Sequence, residues 1–102
     1  QLQGAIDVLQ SQPHPKVAND LEYFALLAAL QQEGGQHRAA AQNYRQLLSY
    51  RPQEALWWLG LAISLDQSGN GVDAKAAYLQ ALSFPGLRSD LQAYANERQS
   101  VL

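Results

Sequence analysis

The feature that most constrains this chain is that it repeats itself. Set against itself at one fixed offset, without gaps, Phe24 falls on Trp58, Leu27 on Leu61, Ala28 on Ala62 and Gly35 on Gly69. Ala40 then falls on Ala74, Tyr44 on Tyr78 and Leu48 on Leu82. Pro52 and Pro85 close the two units one place short of that offset, so the second is slightly shorter at its end. Phe24, Leu27, Ala28 and Leu30 recur at the spacing of one helix face, as do Trp58, Leu61, Ala62 and Leu65. Gly35 and Gly69 suit the left-handed conformation that ends a helix. Pro52 and Pro85 stop the helices that follow, because proline lacks the amide donor and clashes inside a helix. Each unit therefore reads as two helices joined by a glycine turn. Ala28 and Ala62 let the second helix of each pair come close, and Ala40 and Ala74 offer it the matching small surface. Gln31 breaks the pattern, being polar where Leu65 stands in the second copy.

An aromatic residue, then Leu and a small residue, then Gly, Ala, Tyr and Pro at these offsets resembles the tetratricopeptide repeat (TPR), a helix-turn-helix unit of about 34 residues. The resemblance implies an all-α fold, a right-handed α-α superhelix of helical hairpins with one concave and one convex surface. Composition agrees with the helical part. Hydrophobic residues make up 47% of the 102, and Ala and Leu outnumber Val, Ile and Thr, which favours helix over strand.

Taken in order, residues 2–10 read as a helix with Leu2, Ala5, Ile6 and Leu9 on one face. It is expected to be the second helix of a preceding repeat, out of phase with the repeat period. Ser11-Gln12-Pro13-His14-Pro15 breaks it. A helix over about 16–33 follows, with Val17, Leu21, Phe24 and Ala28 as its stripe, and with Asn19 or Asp20 able to cap a later start. Further helices are expected over about 37–49, 54–68 and 72–83, the last with Asp73 suited to a positive helix start. The sixth, about 90–101, has Ser89 and Gln92 at capping-box spacing. Leu87, Leu91, Tyr94, Ala95 and Val101 give it one apolar face, and Arg88, Asp90, Glu97, Arg98 and Gln99 make the rest polar. This is the pattern of a C-terminal capping helix, since an end repeat has no neighbour to bury its outer side. The expected organisation is one domain: a partial repeat and linker over 1–15, repeats over 16–52 and 53–86, and the cap over 87–102.

Several functions lack the residues they need. The net charge is −2, and seven Lys and Arg are scattered along the chain, so no basic stripe awaits a nucleic acid. Without cysteine there is no disulfide framework and no thiolate metal site. His14 and His37 fall in separate expected turns and lack the close helical spacing of a metal pair. Gly34-Gly35 and Gly69-Asn70-Gly71 end helices rather than follow a strand as a phosphate loop does. No serine sits in a nucleophile elbow, and the carboxylates are not paired for acid-base work. No catalytic residue, metal or cofactor is expected, and the reading is of a protein that is not an enzyme. No 18-residue apolar run calls for insertion into a membrane. The chain begins at Gln1, with neither an initiator Met nor a signal peptide, and reads as a piece of a longer protein.

The TPR resemblance points to the concave groove as the site. Carried onto this sequence, the groove positions of the family are Glu22, Ala25, Ala29, Gln32 and Glu33 in one repeat, and Leu56, Leu59, Ile63, Asp66 and Gln67 in the next. The groove would be small and apolar at its centre, with acid and amide at one edge. Members of the family that clamp a peptide carboxylate use Lys, Asn and Arg there; this chain has none of them at those positions, which argues against such a ligand. Leu56, Leu59 and Ile63 form a stripe able to take an amphipathic helix or an extended apolar peptide. Burying them would contribute about 1.5–3 kcal/mol each. Two kinds of occupant fit: a foreign protein or peptide, or self-coverage by the chain's own last helix or a second copy in a homodimer. Of the two tryptophans, Trp58 takes the core aromatic position, and Trp57 a position that meets the preceding repeat.

Within the family, Tyr44-Arg45-Gln46-Leu47-Leu48, Pro52 and the run Trp57 to Asp66 are similar to the C-terminal repeat region of pilus biogenesis proteins of the mannose-sensitive haemagglutinin (MSHA) pilus, a type IV pilus of Gram-negative bacteria. So are Ala76 to Leu82, Leu87 and Leu91. That likeness implies an anchor in the inner membrane upstream, a domain on the periplasmic side, and a pilus or secretion assembly component as partner. Without it, the cytoplasm is the expected compartment.

Overall fold

Two glycine turns set the period of the molecule. Gly35 and Gly69 hold φ at 83° and 84°, a conformation open to glycine at little cost. At the first, the Gln36 amide donates to the Gln31 carbonyl (2.8 Å) and Gly35 to Gln32 (3.2 Å). At the second, Asn70 donates to Leu65 (2.8 Å) and Gly69 to Asp66 (3.1 Å). Both are Schellman turns, and they lie one repeat apart, as the sequence predicts.

The computed structural model of the chain describes residues 2–11 and 20–102, with the side chains of Leu9 and Ser11 excepted. Among the described residues there are six helices and no strand: α1 (Leu2–Ser11), α2 (Leu21–Glu33), α3 (His37–Tyr50), α4 (Ala55–Gln67), α5 (Gly71–Ser83) and α6 (Ser89–Val101). Helices α2, α4 and α6 are each 13 residues long. They begin at Leu21, Ala55 and Ser89, spaced by the repeat offset, and α3 and α5 begin at His37 and Gly71 with the same spacing. The period therefore extends to the C-terminal helix. It also reaches back into α1. Ile6, Ala40 and Ala74 stand one period apart and are all 0% exposed. The first helix is thus in phase, contrary to the sequence expectation, with Ile6 filling the buried place that alanine takes later.

Helix starts follow local chemistry. Asp20 caps α2, its Oδ1 accepting from the Tyr23 amide at 3.0 Å. The helix begins at Leu21, after Asp20, which is outside helical geometry (φ −150°, ψ 76°); residues 16–19 of the expected helix lie outside the described residues. Val17, Asn19 and the Pro13-His14-Pro15 breaker lie outside the described residues. The capping box expected at Ser89 does not form. Arg88 is the N-cap without a side-chain cap bond, and Gln92 instead donates to the Leu87 carbonyl (2.9 Å). Asp73 lies in the first turn of α5 and accepts from the Asn70 amide group at 3.0 Å.

Each helix packs on the next, and α2 also touches α4. The result is longer than it is wide, 40 × 25 × 22 Å. One continuous core runs through it. Leu47, Leu61, Leu65 and Tyr78 fill space, while Ala28, Ala40, Ala62, Ala74, Ala77 and Ala81 let backbones approach. Truncating the fully buried Leu47 to alanine costs about 2–5 kcal/mol on general grounds. At Gly60 the backbone of α4 meets the Tyr44 ring so closely that an added Cβ would collide with it. Both tryptophans pack with the core. Trp57 is 9% exposed, with the Arg51 guanidinium 5.8 Å from its ring centroid. Trp58 is half-buried against the core, and its indole N–H donates to the Pro52 carbonyl (2.7 Å). Around α6, Leu87 and Ala95 are buried and Leu91 half-buried, but Tyr94 is 39% and Val101 66% exposed, so the expected apolar face packs only in part.

Gln31, the residue that breaks the repeat, is 3% exposed. Its Oε1 accepts from the Asn43 amide at 2.7 Å. One period later the same two places hold Leu65 and Ala77, both buried and apolar. The polar pair thus substitutes for an apolar pair as a unit. Asn43→Ala is expected to cost about 1–3 kcal/mol by stranding the Gln31 acceptor. The double change Gln31→Leu, Asn43→Ala copies the second repeat and is expected to recover most of that loss. Urea unfolding of the parent and both variants checks it; a double variant no more stable than Asn43→Ala contradicts the substitution.

Candidate functional site

The expected groove residues lie on two helices, Glu22, Ala25, Ala29 and Gln32 on α2 and Leu56, Leu59, Ile63 and Asp66 on α4. Their environments divide them. Glu22 is exposed, as are the flanking Glu33 and Gln67, and Leu56 is 54% exposed. Ala25, Ala29 and Ile63 are half-buried. Leu59 is 3% exposed and belongs to the continuous core, so it offers no surface to a partner. The physical reason lies in α4 as a whole. It is apolar nearly all round, with Ala55, Trp57, Leu59, Gly60, Leu61, Ala62, Ser64 and Leu65 buried, and such a helix is flanked on most sides. Helices α2, α3 and α5 all pack on it.

Gln32 and Asp66, the amide and the acid of the expected edge, face inward to neighbouring helices. Gln32 Nε2 donates to the Gly60 carbonyl (2.8 Å) and to Ser64 Oγ (2.9 Å), which ties α2 to α4. Asp66 receives Arg98 through two bonds, Nε to Oδ2 at 2.8 Å and Nη2 to Oδ1 at 2.9 Å, which ties α4 to α6. Gln32 and Asp66 are one period apart, and so are Ser64 and Arg98. The same two positions make the same crossing in successive units, with donor and acceptor exchanged. Arg98 is the residue that sequence reading left as a polar surface position. Its separation from Asp66 along the chain equals that of Ser64 from Gln32, and this is the signal that points to it.

The Asp66 site is a small network. Tyr78 Oη donates to Asp66 Oδ2 at 2.9 Å, and the Tyr94 ring meets the Tyr78 ring edge-on, centroids 6.2 Å apart. The Asp66 side chain is 9% exposed and that of Arg98 36%. The Arg98 hydrogen bonds hold the Asp66 carboxyl below its ordinary 3.8, against the opposing effect of burial, with Tyr78 adding to the lowering. Burial and then the Asp66 bond push the Tyr78 hydroxyl up. Tyr44, at the equivalent place one period earlier, is raised to about 12, by burial first and then by the Glu33 charge.

Of the expected groove residues, Leu56 and Glu22 stay exposed, and Ala25, Ala29 and Ile63 keep part of their surface open to solvent. Leu56 also borders a notch of about 290 Å³ shared with Gly86, Arg88 and Leu91. Arg88 there is paired with Asp90 at 3.1 Å. Among the described residues no group of three or more His, Cys, Asp or Glu is placed to hold a metal ion, and no helix is long and apolar enough to cross a membrane. His14 lies outside the described residues.

The lowered Asp66 carboxyl makes the α4–α6 clasp sensitive to acid. A group whose folded pKa is depressed contributes stability that is present above its unfolded value and lost as pH falls through the folded one. The contribution is therefore whole above the ordinary 3.8 and fades below it. Asp66→Asn is expected to be less stable than the parent at about pH 7, with the gap narrowing toward about pH 3. Urea midpoints at the two pH values check this; a gap that does not change with pH assigns the loss to packing alone.

Comparison with protein-family models, with curated proteins and with solved structures yields no match to this chain.

Proposed function

We propose that this chain is a TPR-type scaffold, a right-handed stack of helical hairpins whose concave side holds a helix or apolar peptide of another protein. The observation that carries the reading is the recurrence of α2, α4 and α6 at one repeat interval. Matching Schellman turns lead from α2 to α3 and from α4 to α5, matching polar crossings tie α2 to α4 and α4 to α6, and in this reading the three equivalent helices line one side. A stack of this kind presents a continuous surface without a deep cavity, and its chemistry is recognition. The groove in this reading is narrower than the sequence implies. It consists of Ala25 and Ala29 on α2 and Leu56 and Ile63 on α4, with Glu22 at its edge. Leu59, Gln32 and Asp66 support it from within. The likeness to the C-terminal repeats of the MSHA pilus biogenesis protein MshN extends the proposal to a partner, a component of type IV pilus or secretion assembly met on the periplasmic side of the inner membrane.

A second reading, self-association through the C-terminal end, rests on a different observation. Val72 is 85%, Leu79 46%, Val101 66% and Leu102 38% exposed. Val72 and Leu79, two turns apart, share one face of α5, and Leu102 lies beside its first residue, Gly71. In that reading the stack is a homodimer and sets assembly geometry.

Capture from a membrane-containing bacterial extract tests the first reading. Leu56→Lys, Ile63→Lys leaves the core residues in place and is expected to lose a pilus or secretion component, identified by mass spectrometry, that the parent retains. Equal capture by both forms counts against the groove. Light scattering over an approximately tenfold concentration range tests the second reading. A mass that stays at one chain throughout removes the dimer, and a mass that rises for the parent but not for Val72→Glu supports it.

A further inference from the structure

The seven cationic side chains look scattered in sequence, but folding gathers two of them on the side of the stack formed by α3. Arg38 and Arg45 lie two turns apart along one face of α3, with Gln42 between them. They line a cleft of about 300 Å³ whose far wall is the turn into α5, through Ser68 and Asn70, over a floor that includes Leu65. The arginines are about 10 Å apart along the helix axis, and both are exposed. A second hollow shares Arg38 and Ser68 and adds His37, whose buried Nδ1 has no hydrogen-bond partner.

Charge decides what such a cleft can take. Among the described residues no carboxylate lines either hollow. The ion pairs of the described residues are Arg88–Asp90 and Arg98–Asp66, so the charges of Arg38 and Arg45 are not neutralised by a carboxylate among the described residues. Asn70, on the rim, turns its amide to Asp73. Guanidinium groups bind planar oxyanions through paired N–H bonds. A long polyanion such as nucleic acid is disfavoured, because the whole chain carries −2 and offers no basic stripe beyond these two positions.

We infer that the Arg38–Arg45 cleft is a second docking site, for an acidic segment of a partner protein. It rests on the scaffold reading and adds to it. The concave face would hold an apolar element, while the cleft on α3 would pair with carboxylate side chains of the same or another partner. Pairs of this kind act mainly on encounter rate and orientation, and weaken with salt.

The probe is a fluorescein-labelled peptide of alternating glutamate and glycine, followed by anisotropy at low salt, with an alternating lysine and glycine peptide as control. The parent is expected to bind the glutamate peptide and not the lysine peptide. Arg38→Gln, Arg45→Gln, both at exposed positions and checked for unchanged circular dichroism, is expected to weaken binding at least about tenfold. Leu56→Ser, Ile63→Ser, which trims the groove without adding charge, is expected to bind the glutamate peptide as the parent does, which separates failure of the cleft from failure of the groove. Equal binding by the parent and the arginine variant overturns the site, as does no binding by the parent at low salt. Displacement of the peptide by an equal concentration of inorganic phosphate overturns the peptide assignment and identifies a site for small anions.

Discussion

The ring of Tyr44 lies against the backbone of Gly60, where even a methyl group would collide with it. That contact sets how closely α3 and α4 approach, and much of the stack depends on the spacing. With α3 held close, Leu47 and Leu48 reach the core and Trp57 is drawn in with them. Glycine inside a helix costs about 1 kcal/mol against alanine, so its place in α4 is explained by the approach it allows. One period later the same contact is made differently. Tyr78 occupies Tyr44's place, but Tyr94 stands where Gly60 was, and the two rings meet edge-on at 6.2 Å. The larger residue leaves the last helix with fewer close contacts, and Tyr94 remains 39% exposed.

Polar residues at three sites make up for what the apolar repeat does not supply. Gln31 and Asn43 replace Leu65 and Ala77 as a bonded pair. Gln32 with Ser64, and Asp66 with Arg98, span successive units at one pair of positions. In the last case the link carries formal charge. This follows from composition: α6 buries only Ala95 along its helical length, so the bidentate Arg98 contact carries much of its positioning. A buried or half-buried charge pair gives orientation more securely than it gives net stability, and orientation is what a helix with so little buried apolar surface requires.

The parts of the fold legible in sequence are those governed by local chemistry. The glycine turns, the Asp20 cap, the proline stops and the bounds of α3 to α6 within a residue or so all depend on residues within a few places of one another. What resisted reading depends on how many neighbours a helix has. Leu59 sits at a position that faces the groove in the resembling family, yet α4 packs against α2, α3 and α5 and closes over it. Gln32 and Asp66 looked like a polar rim because their partners, on the next helix but one, were not in view. Ser89 failed as a cap although its spacing to Gln92 was right, because the helix takes in Ser89 itself and leaves Arg88 at the boundary.

The inward use of Gln32 and Asp66 bears on recognition. Had both been free, the face between α2 and α4 would combine apolar area with an acid and an amide, and would select ligands by hydrogen bonding. With both engaged, it offers Ala25, Ala29, Ile63 and Leu56, which discriminate by shape and by little else, since one methylene more or less in an apolar site is worth only about 1–3 kcal/mol. A scaffold of the kind proposed would need specificity from elsewhere. Charge placed on a different face would supply it without disturbing the core, because an unmatched partner would leave guanidinium groups unpaired while a matched one would orient before the apolar contacts close. Arg38 and Arg45 stand on the helix that also carries Tyr44, so the residues that hold the stack together and those that would select its partner share one rigid support.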